Sequence, residues 1–151
     1  MQLLGLGYFC ALLAIAAASD LRRYLIPNWM PAALAAGALV LAFPMGGDEW
    51  VSRGLAFLIT AVVTIGLWLV RGLGGGDTKL LMAASLWMPL ATLPAFAMAV
   101  AVAGGVQAIV TLILRRVRPP PEGHPGRRRM PYAVSIAVGG FVWALLMWRD
   151  A

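Results

Sequence analysis

The chain has 151 residues, of which 62% are hydrophobic and 12% are charged, and its mean hydropathy is +0.85. Soluble domains carry about 25% charged residues, and a fold of this length could not bury so much apolar surface. The composition therefore excludes a water-soluble globular protein and predicts an integral membrane protein.

The net charge of +6 comes from 12 basic and 6 acidic residues. In a soluble protein this balance would favour nucleic-acid binding. Here the basic residues lie between apolar runs, and no platform of aromatic and basic residues accompanies them, so we expect no nucleic-acid partner. The single cysteine, Cys10, excludes an intrachain disulfide and a cysteine-based metal site.

The first apolar run covers residues 3–19 and ends at Ser19 and Asp20. Arg22 and Arg23 follow this run and no basic residue precedes it, which is the reverse of the charge order in a signal peptide. We therefore expect the segment to remain in the protein as a transmembrane helix.

Five further apolar segments predict the remaining helices. They cover residues 28–45, 50–70, 77–90, 91–114 and 131–148. The only long polar segment, residues 115–130, combines clustered arginines with three consecutive prolines, so we expect an extended, solvated loop. The fold class is therefore predicted to be all-α, with residues 1–151 forming one integral membrane domain of about six transmembrane helices.

The distribution of basic residues predicts the orientation. Segments 20–27, 71–79 and 115–130 contain ten of the twelve basic residues. The positive-inside rule places these segments in the cytoplasm and both chain ends outside. Asp20, at the end of the first helix, and Asp77, at the start of the fourth, are then expected at the same cytoplasmic face.

Two acids at one membrane face suggest a chemical site, because charged side chains near hydrocarbon are costly. Two carboxylates that share one proton can act as general base and general acid. The ionised member would take a proton from water as it attacks a peptide carbonyl, and the protonated member would polarise that carbonyl. Asp20 and Asp77 are the predicted catalytic residues, and which of them begins protonated stays open.

The glycines that precede the second acid are the predicted active-site loop. Gly74, Gly75 and Gly76 would allow backbone conformations closed to other residues and leave room for an extended substrate.

Each acid also has a simpler interpretation. Asp77 would serve only as the N-cap of the fourth helix, and Asp20 would only offset the two arginines that follow it. The alternative functions are a proton-coupled small membrane transporter, whose acids are expected near the bilayer midplane, and a structural assembly scaffold. In a scaffold, Asp20→Asn and Asp77→Asn would leave function intact.

Lys79 and Asn28 are candidates for substrate contact or for support of the carboxylate pair. Lys79 would favour the ionised form of Asp77 or contact a substrate carboxylate, unless it only extends towards water as a topology charge. Asn28 would hydrogen-bond near the site or cap the second helix. The single histidine, His124, lies among prolines and arginines without nearby acids, so no metal site is predicted.

Three motifs resemble those of a known family. Residues 74–77 (GGGD) fit the GxGD signature of intramembrane aspartyl proteases, and residues 74–81 (GGGDTKLL) look like the second catalytic motif of bacterial type IV prepilin peptidases. Residues 20–28 (DLRRYLIPN) look like the first catalytic motif, and residues 130–137 (MPYAVSIA) are similar to the segment that opens the last helix. The resemblance covers nearly the whole chain in order.

This resemblance implies an aspartic endopeptidase of the bacterial inner membrane. Its substrate would be a prepilin or pseudopilin, cut between a short basic leader and a hydrophobic helix for pilus assembly or related secretion. The chain looks like the short branch that serves Flp/Tad-type pili. Longer relatives carry an N-terminal region with paired CxxC motifs, and many also N-methylate the pilin. This sequence has one cysteine and no CxxC motif, so the resemblance does not imply methyltransferase activity. No metal or organic cofactor is indicated.

Membrane lipids are the second expected partner. The leader and the enzyme loops are both basic, so attraction between them cannot drive recognition. Anionic lipid head groups would hold both, with Arg127, Arg128 and Arg129 as contacts on the enzyme.

Overall fold

The computed structural model describes residues 2–41, 47–117 and 130–149, and within these ranges it contains helices and no strand. The α-helices are α1 (Gln2–Arg23), α2 (Trp29–Leu41), α3 (Gly47–Leu69), α4 (Gly75–Ser85), α5 (Leu93–Val117) and α6 (Ala133–Arg149). A short 3₁₀ helix, Leu90–Thr92, precedes α5. The predicted all-α fold class is confirmed for these parts of the chain.

Several helices differ from the apolar runs that predicted them, among them α4, which covers Gly75–Ser85 and not 77–90. α1 continues past Asp20 to residue 23, and Arg115 and Arg116 belong to the last turn of α5 and not to a loop. Cations in the last turn interact favourably with the negative end of a helix, which supports both extensions. The rest of the predicted polar loop, residues 118–129, lies outside the described residues, together with its histidine and its triple arginine.

Within the described residues, three segments are long and apolar enough to cross a membrane: Leu3–Arg23, Gly47–Leu69 and Leu90–Val117. The apolar helices α2 and α6 are shorter. With 11 residues, α4 is about 16 Å long, and it cannot by itself cross a hydrocarbon core of about 30 Å. Both ends of α4 therefore need partners from other helices.

α4 and α6 lie at the centre of the bundle. α4 packs against α2, α3 and α6, while α6 packs against α1, α4 and α5. The flanking helices α3 and α5 expose large apolar side chains such as Val62 and Leu69 on α3 and Val102 and Leu112 on α5. Exposed apolar faces of this extent are expected for helices that face lipid.

α1 and α6 pack side by side in opposite directions. Gly140 of α6 lies against α1, where a Cβ atom would overlap Cδ1 of Leu13. One turn away, the rings of Phe9 and Trp143 contact each other with centroids 5.4 Å apart. This close approach brings the last turn of α1 next to the first residue of α6.

The buried Arg53 of α3 holds the C-terminal end of α4. Its Nη1 atom donates to the carbonyls of Leu86, at 3.3 Å, and Trp87, at 2.6 Å, directly after the last residue of α4. The carbonyls at the end of a helix lack partners within the helix, and lipid offers none. Arg53 therefore has a structural role that its charge alone did not predict.

We expect Arg53→Met to destabilise the protein by roughly 1–3 kcal/mol, because it leaves buried carbonyls without a donor. Thermal unfolding in detergent, followed by circular dichroism, measures the loss. The matched control is Glu49→Gln, which removes only a 3.9 Å ion pair of Arg53 with an exposed carboxylate. Such a pair contributes at most about 1 kcal/mol. Equal unfolding midpoints for the two variants would contradict the structural role of Arg53.

Candidate active site

Asp20 lies in the last turn of α1 and is buried, with 5% of its surface exposed. Its Oδ2 atom accepts a hydrogen bond from the backbone N–H of Ala133 at 3.0 Å. Ala133 is the first residue of α6, so the carboxylate occupies the positive end of that helix. Arg22 and Arg23 are exposed. The interpretation of Asp20 as only a counter-charge for these arginines does not fit, because the acid is buried against another helix.

Asp77 is the third residue of α4 and is also buried, with 8% of its surface exposed. The N-cap position of α4 is Gly74, so the interpretation of Asp77 as the N-cap is wrong. The Oδ1 atom of Asp77 is buried without a hydrogen-bond partner. An unsatisfied carboxyl oxygen is costly in a buried setting, and it leaves one atom of Asp77 available to a ligand.

The two aspartates, from helices far apart in sequence, line one cavity of about 470 Å³. The remaining lining residues come from three places, namely the end of α1 and its link, the end of α3 with the glycine loop, and the segment before α6: Tyr24, Leu25, Ile26, Trp68, Arg71, Gly72, Leu73, Gly74, Gly75, Gly76, Met130 and Tyr132. The structure thus brings both predicted acids and the predicted glycine loop together. Their catalytic roles stay predictions.

Burial, and then the negative charge of Asp20, raise the pKa of Asp77 from 3.8 to about 7. Hydrogen bonds from the backbone of Gly74 and of Asp77 itself oppose this rise. Asp77 lies in α4, outside the segments that are long enough to cross a membrane. A carboxyl with such a pKa can hold a proton near neutral pH and still release it, as acid–base catalysis requires.

The predicted glycine loop is helix in part, because Gly75 and Gly76 are the first two residues of α4, and the predicted backbone conformations are absent. Gly74 has φ −73° and ψ 147°, which other residues also adopt, and neither Gly75 nor Gly76 lies in the left-handed region. Glycine is needed at position 74 because a Cβ atom there would lie 2.6 Å from Oδ2 of Asp77, which is too close. The absent side chain makes room for the carboxylate itself.

Left-handed backbone occurs instead at two non-glycine residues that line the cavity, Tyr24 at φ 50° and Arg71 at φ 60°. Each ends a helix. The N–H of Tyr24 donates to the Asp20 carbonyl at 2.8 Å, and the N–H of Arg71 donates to the Trp68 carbonyl at 2.9 Å. Such conformations cost about 1–3 kcal/mol each and are often found at functional sites. They were not predicted from the sequence, because glycine is the residue expected at such helix ends.

The link between α1 and α2 is held against the start of α4. The Ser19 hydroxyl donates to the Leu25 carbonyl at 2.9 Å, and the next residue, Ile26, packs on Gly76. A Cβ atom at Gly76 would lie 3.2 Å from the Cβ atom of Ile26, which is tighter than ordinary contact. Gly76 therefore serves the packing of the two segments that carry the acids.

Lys79 and Asn28 contact each other outside the cavity lining. The Lys79 Nζ atom donates to Oδ1 of Asn28 at 2.9 Å, and both side chains are exposed. The Asn28 side chain is thus bound to α4, while its backbone carbonyl accepts the Ala32 N–H at 3.4 Å at the start of α2. The bond ties α4 to α2 beside the cavity. The predicted contact of Lys79 or Asn28 with substrate stays a prediction.

Two side chains near the site, Gln107 of α5 and Ser135 of α6, were not predicted from the sequence. Gln107 Nε2 donates to the Pro131 carbonyl at 2.7 Å, and the Ser135 hydroxyl donates to Gln107 Oε1 at 2.5 Å. The available signal was the amide itself, because a polar side chain inside an apolar span is costly unless it has partners.

The described residues contain no group of three or more histidine, cysteine, aspartate or glutamate side chains that could hold a metal ion.

Two buried carboxyl groups at one cavity, with different hydrogen-bond partners, can divide the tasks of accepting and donating a proton. The site therefore has the residues needed for hydrolysis by paired acids.

A family model described as the type IV leader peptidase family matches residues 7–109. The matched range includes both aspartates, the glycine loop and most of α5. A search of curated proteins found no significant match. A search of solved structures also found none.

The raised pKa of Asp77 predicts how the stability of the protein depends on pH. The unfolded carboxyl releases its proton at lower pH than the folded one, so the wild type loses stability as pH rises from 3.8 to about 7. Asp77→Asn cannot ionise, and its stability relative to the wild type should rise across this window and then level off. The full gain is on the order of 4 kcal/mol.

Thermal unfolding in detergent between about pH 4 and about pH 8 measures this difference. Asp48→Asn, which removes an exposed acid from the first turn of α3, is the control and should follow the wild-type curve. Parallel curves for Asp77→Asn and the wild type would show that burial of Asp77 carries no such cost.

Proposed function

The chain belongs to the type IV leader peptidase family, and on this premise we propose that it is an aspartic endopeptidase that removes the leader peptide of a type IV prepilin. Membership of this family indicates a protease. Its long apolar helices suit a membrane. The aspartic mechanism, the substrate and the cytoplasmic position of the site are our proposals.

The observation that carries the proposal is the meeting of Asp20 and Asp77 in one cavity. One acid, in its ionised form, takes a proton from water as the water attacks the scissile carbonyl. The other, in its protonated form, donates a hydrogen bond to the carbonyl oxygen. The acid that took the proton from water then gives that proton to the leaving amine, so that one acid is again ionised and the other protonated.

The positions of the two acids favour a peptidase over a transporter. Asp20 lies in the last turn of α1, and Asp77 lies in the first turn of α4. A proton-coupled transporter is expected to hold its acids near the bilayer midplane, along broken helices. Acids at helix ends suit a peptide bond that lies at the border of the membrane, where a substrate helix begins.

The substrate we propose has a hydrophobic helix that remains in the bilayer and a basic leader on the cytoplasmic side. The positive-inside rule supports this orientation, because the two segments that carry the acids, together with segment 115–130, contain ten of the twelve basic residues. Resemblance to the short branch supports a pilin of the Flp type. Anionic lipid head groups, held by Arg127, Arg128 and Arg129, remain the proposed second partner.

The proposal predicts that Asp20→Asn and Asp77→Asn each abolish leader removal. Loss of a general acid or base lowers the rate by about 10²–10⁴-fold, because asparagine neither accepts nor releases the proton. Co-expression with a candidate Flp-type prepilin, followed by gel or mass analysis of the pilin, measures processing. Asp48→Asn is the control for loss of an acid elsewhere. Processing by either site variant at the wild-type rate would refute the aspartic mechanism.

The three loop glycines predict a graded response to alanine. In Gly74→Ala the added Cβ atom would displace the Asp77 carboxylate, so processing should fall by about 10²-fold with little loss of stability. In Gly76→Ala the Cβ atom would press on Ile26, so stability should fall as well. Gly75→Ala is the matched control, because its Cβ atom would make an ordinary 3.5 Å contact with Trp68. The initial processing rate and the unfolding midpoint of each variant separate these effects, and equal processing rates would contradict the role of Gly74.

A further inference from the structure

We propose that Gln107 is a positioning residue that holds the N-terminus of α6 so that the Ala133 N–H keeps Asp20 in the ionised, proton-accepting state. The proposal rests on the proposed function in one respect only, namely that Asp20 and Asp77 act as a catalytic pair. It assigns the starting roles that the sequence left open: Asp20 is the base and Asp77 is the acid.

The first step is the position of Gln107 relative to Ala133. Its amide nitrogen donates to the Pro131 carbonyl, two residues before Ala133, and its amide oxygen accepts from Ser135, two residues after. The Pro131 carbonyl can only accept, so the orientation of the amide is fixed by its partners. One side chain of α5 therefore binds α6 on both sides of the N–H that meets Asp20.

The second step is the difference between the two acids. Asp20 Oδ2 accepts from the first N–H of α6, where the helix presents unsatisfied donors and a partial positive charge. Such a bond favours a carboxylate over a carboxylic acid. Asp77 also accepts backbone hydrogen bonds, from Gly74 and from its own N–H, but its Oδ1 atom is buried without a donor. The proton shared by the pair therefore belongs on Asp77.

The third step is to account for the other titratable groups that line the cavity with Asp20. Asp77 of α4 is the acid across the cavity, Arg71 follows α3, Tyr24 follows α1 and Tyr132 precedes α6. α2, which also packs on α1, has no titratable side chain. Asp20 accepts its hydrogen bond from the Ala133 N–H, whose position depends on how the start of α6 is held. Gln107 is the side chain that binds α6 on both sides of Ala133.

The test compares Gln107→Met with Thr92→Ala. Gln107→Met keeps the size of the side chain and removes both hydrogen bonds to the start of α6. Thr92→Ala removes a bond to the other end of the same helix, where Trp143 Nε1 donates to Thr92 Oγ1 at 3.0 Å. Both variants lose contacts with α6, and only the first lies near Asp20.

For Gln107→Met we expect the acid limb of the pH profile of leader removal to move to higher pH by about half a unit to one unit. Below that limb the rate falls about threefold to tenfold relative to the wild type. Thr92→Ala keeps the wild-type profile. Ser135→Ala retains the Gln107–Pro131 bond, and we expect a smaller shift in the same direction. If Gln107→Met does not fold, a shift in Ser135→Ala decides for the proposal and an unchanged profile decides against it.

A second measurement does not depend on cleavage. The infrared carbonyl band of protonated carboxyl groups, followed against pH and assigned to Asp20 with Asp20→Asn, should shift in Gln107→Met as the pH profile does. This separates the two proposals. A wild-type enzyme that cuts no prepilin defeats the proposed function, yet the infrared titration still tests Gln107. Equal rate losses at every pH in Gln107→Met and Thr92→Ala, or an infrared titration that Gln107→Met leaves unchanged, would overturn the positioning role.

Discussion

The hydrogen bond from the Ala133 N–H to the Asp20 carboxylate joins the end of α1 to the start of α6, 113 residues away along the chain. The antiparallel packing of these helices is required for it, since Gly140 lets α1 approach α6 closely. The same bond fixes the acid at the cavity. Removing α6 would therefore change the chemistry of Asp20 as well as the packing of the bundle.

α4 carries the second acid, and its short length explains how it is held. Asp77 lies in its first turn, where Gly74 leaves room for the carboxylate. Arg53 binds the carbonyls that follow its last turn, and Lys79 ties its exposed side to Asn28. A helix too short to span the bilayer is thus fixed at both ends and on one face, which keeps Asp77 at a defined depth.

Composition and apolar runs were sufficient to predict the all-α fold and to single out two acids at helix ends, which the structure places at one cavity. They did not locate the helix ends, because an apolar run marks where lipid contact stops, while backbone hydrogen bonds continue in α1 past Asp20. The conformation of the glycine loop was mispredicted for a related reason. Some glycines, such as Gly74, are needed because a Cβ atom would overlap a neighbouring group, and others are needed for a positive φ angle. The sequence does not distinguish the two kinds. Arg53 and Gln107 act through partners more than 20 residues away, which no local pattern contains.

The distance in sequence between Asp20 and its partner also affects how the enzyme is made. Ala133 is synthesised after α1 and α4, so a nascent chain contains both acids before it contains the N–H that binds Asp20. The finished site therefore arises late in biogenesis, once the final helix has inserted. A partly synthesised chain therefore lacks the hydrogen bond that joins α1 to α6.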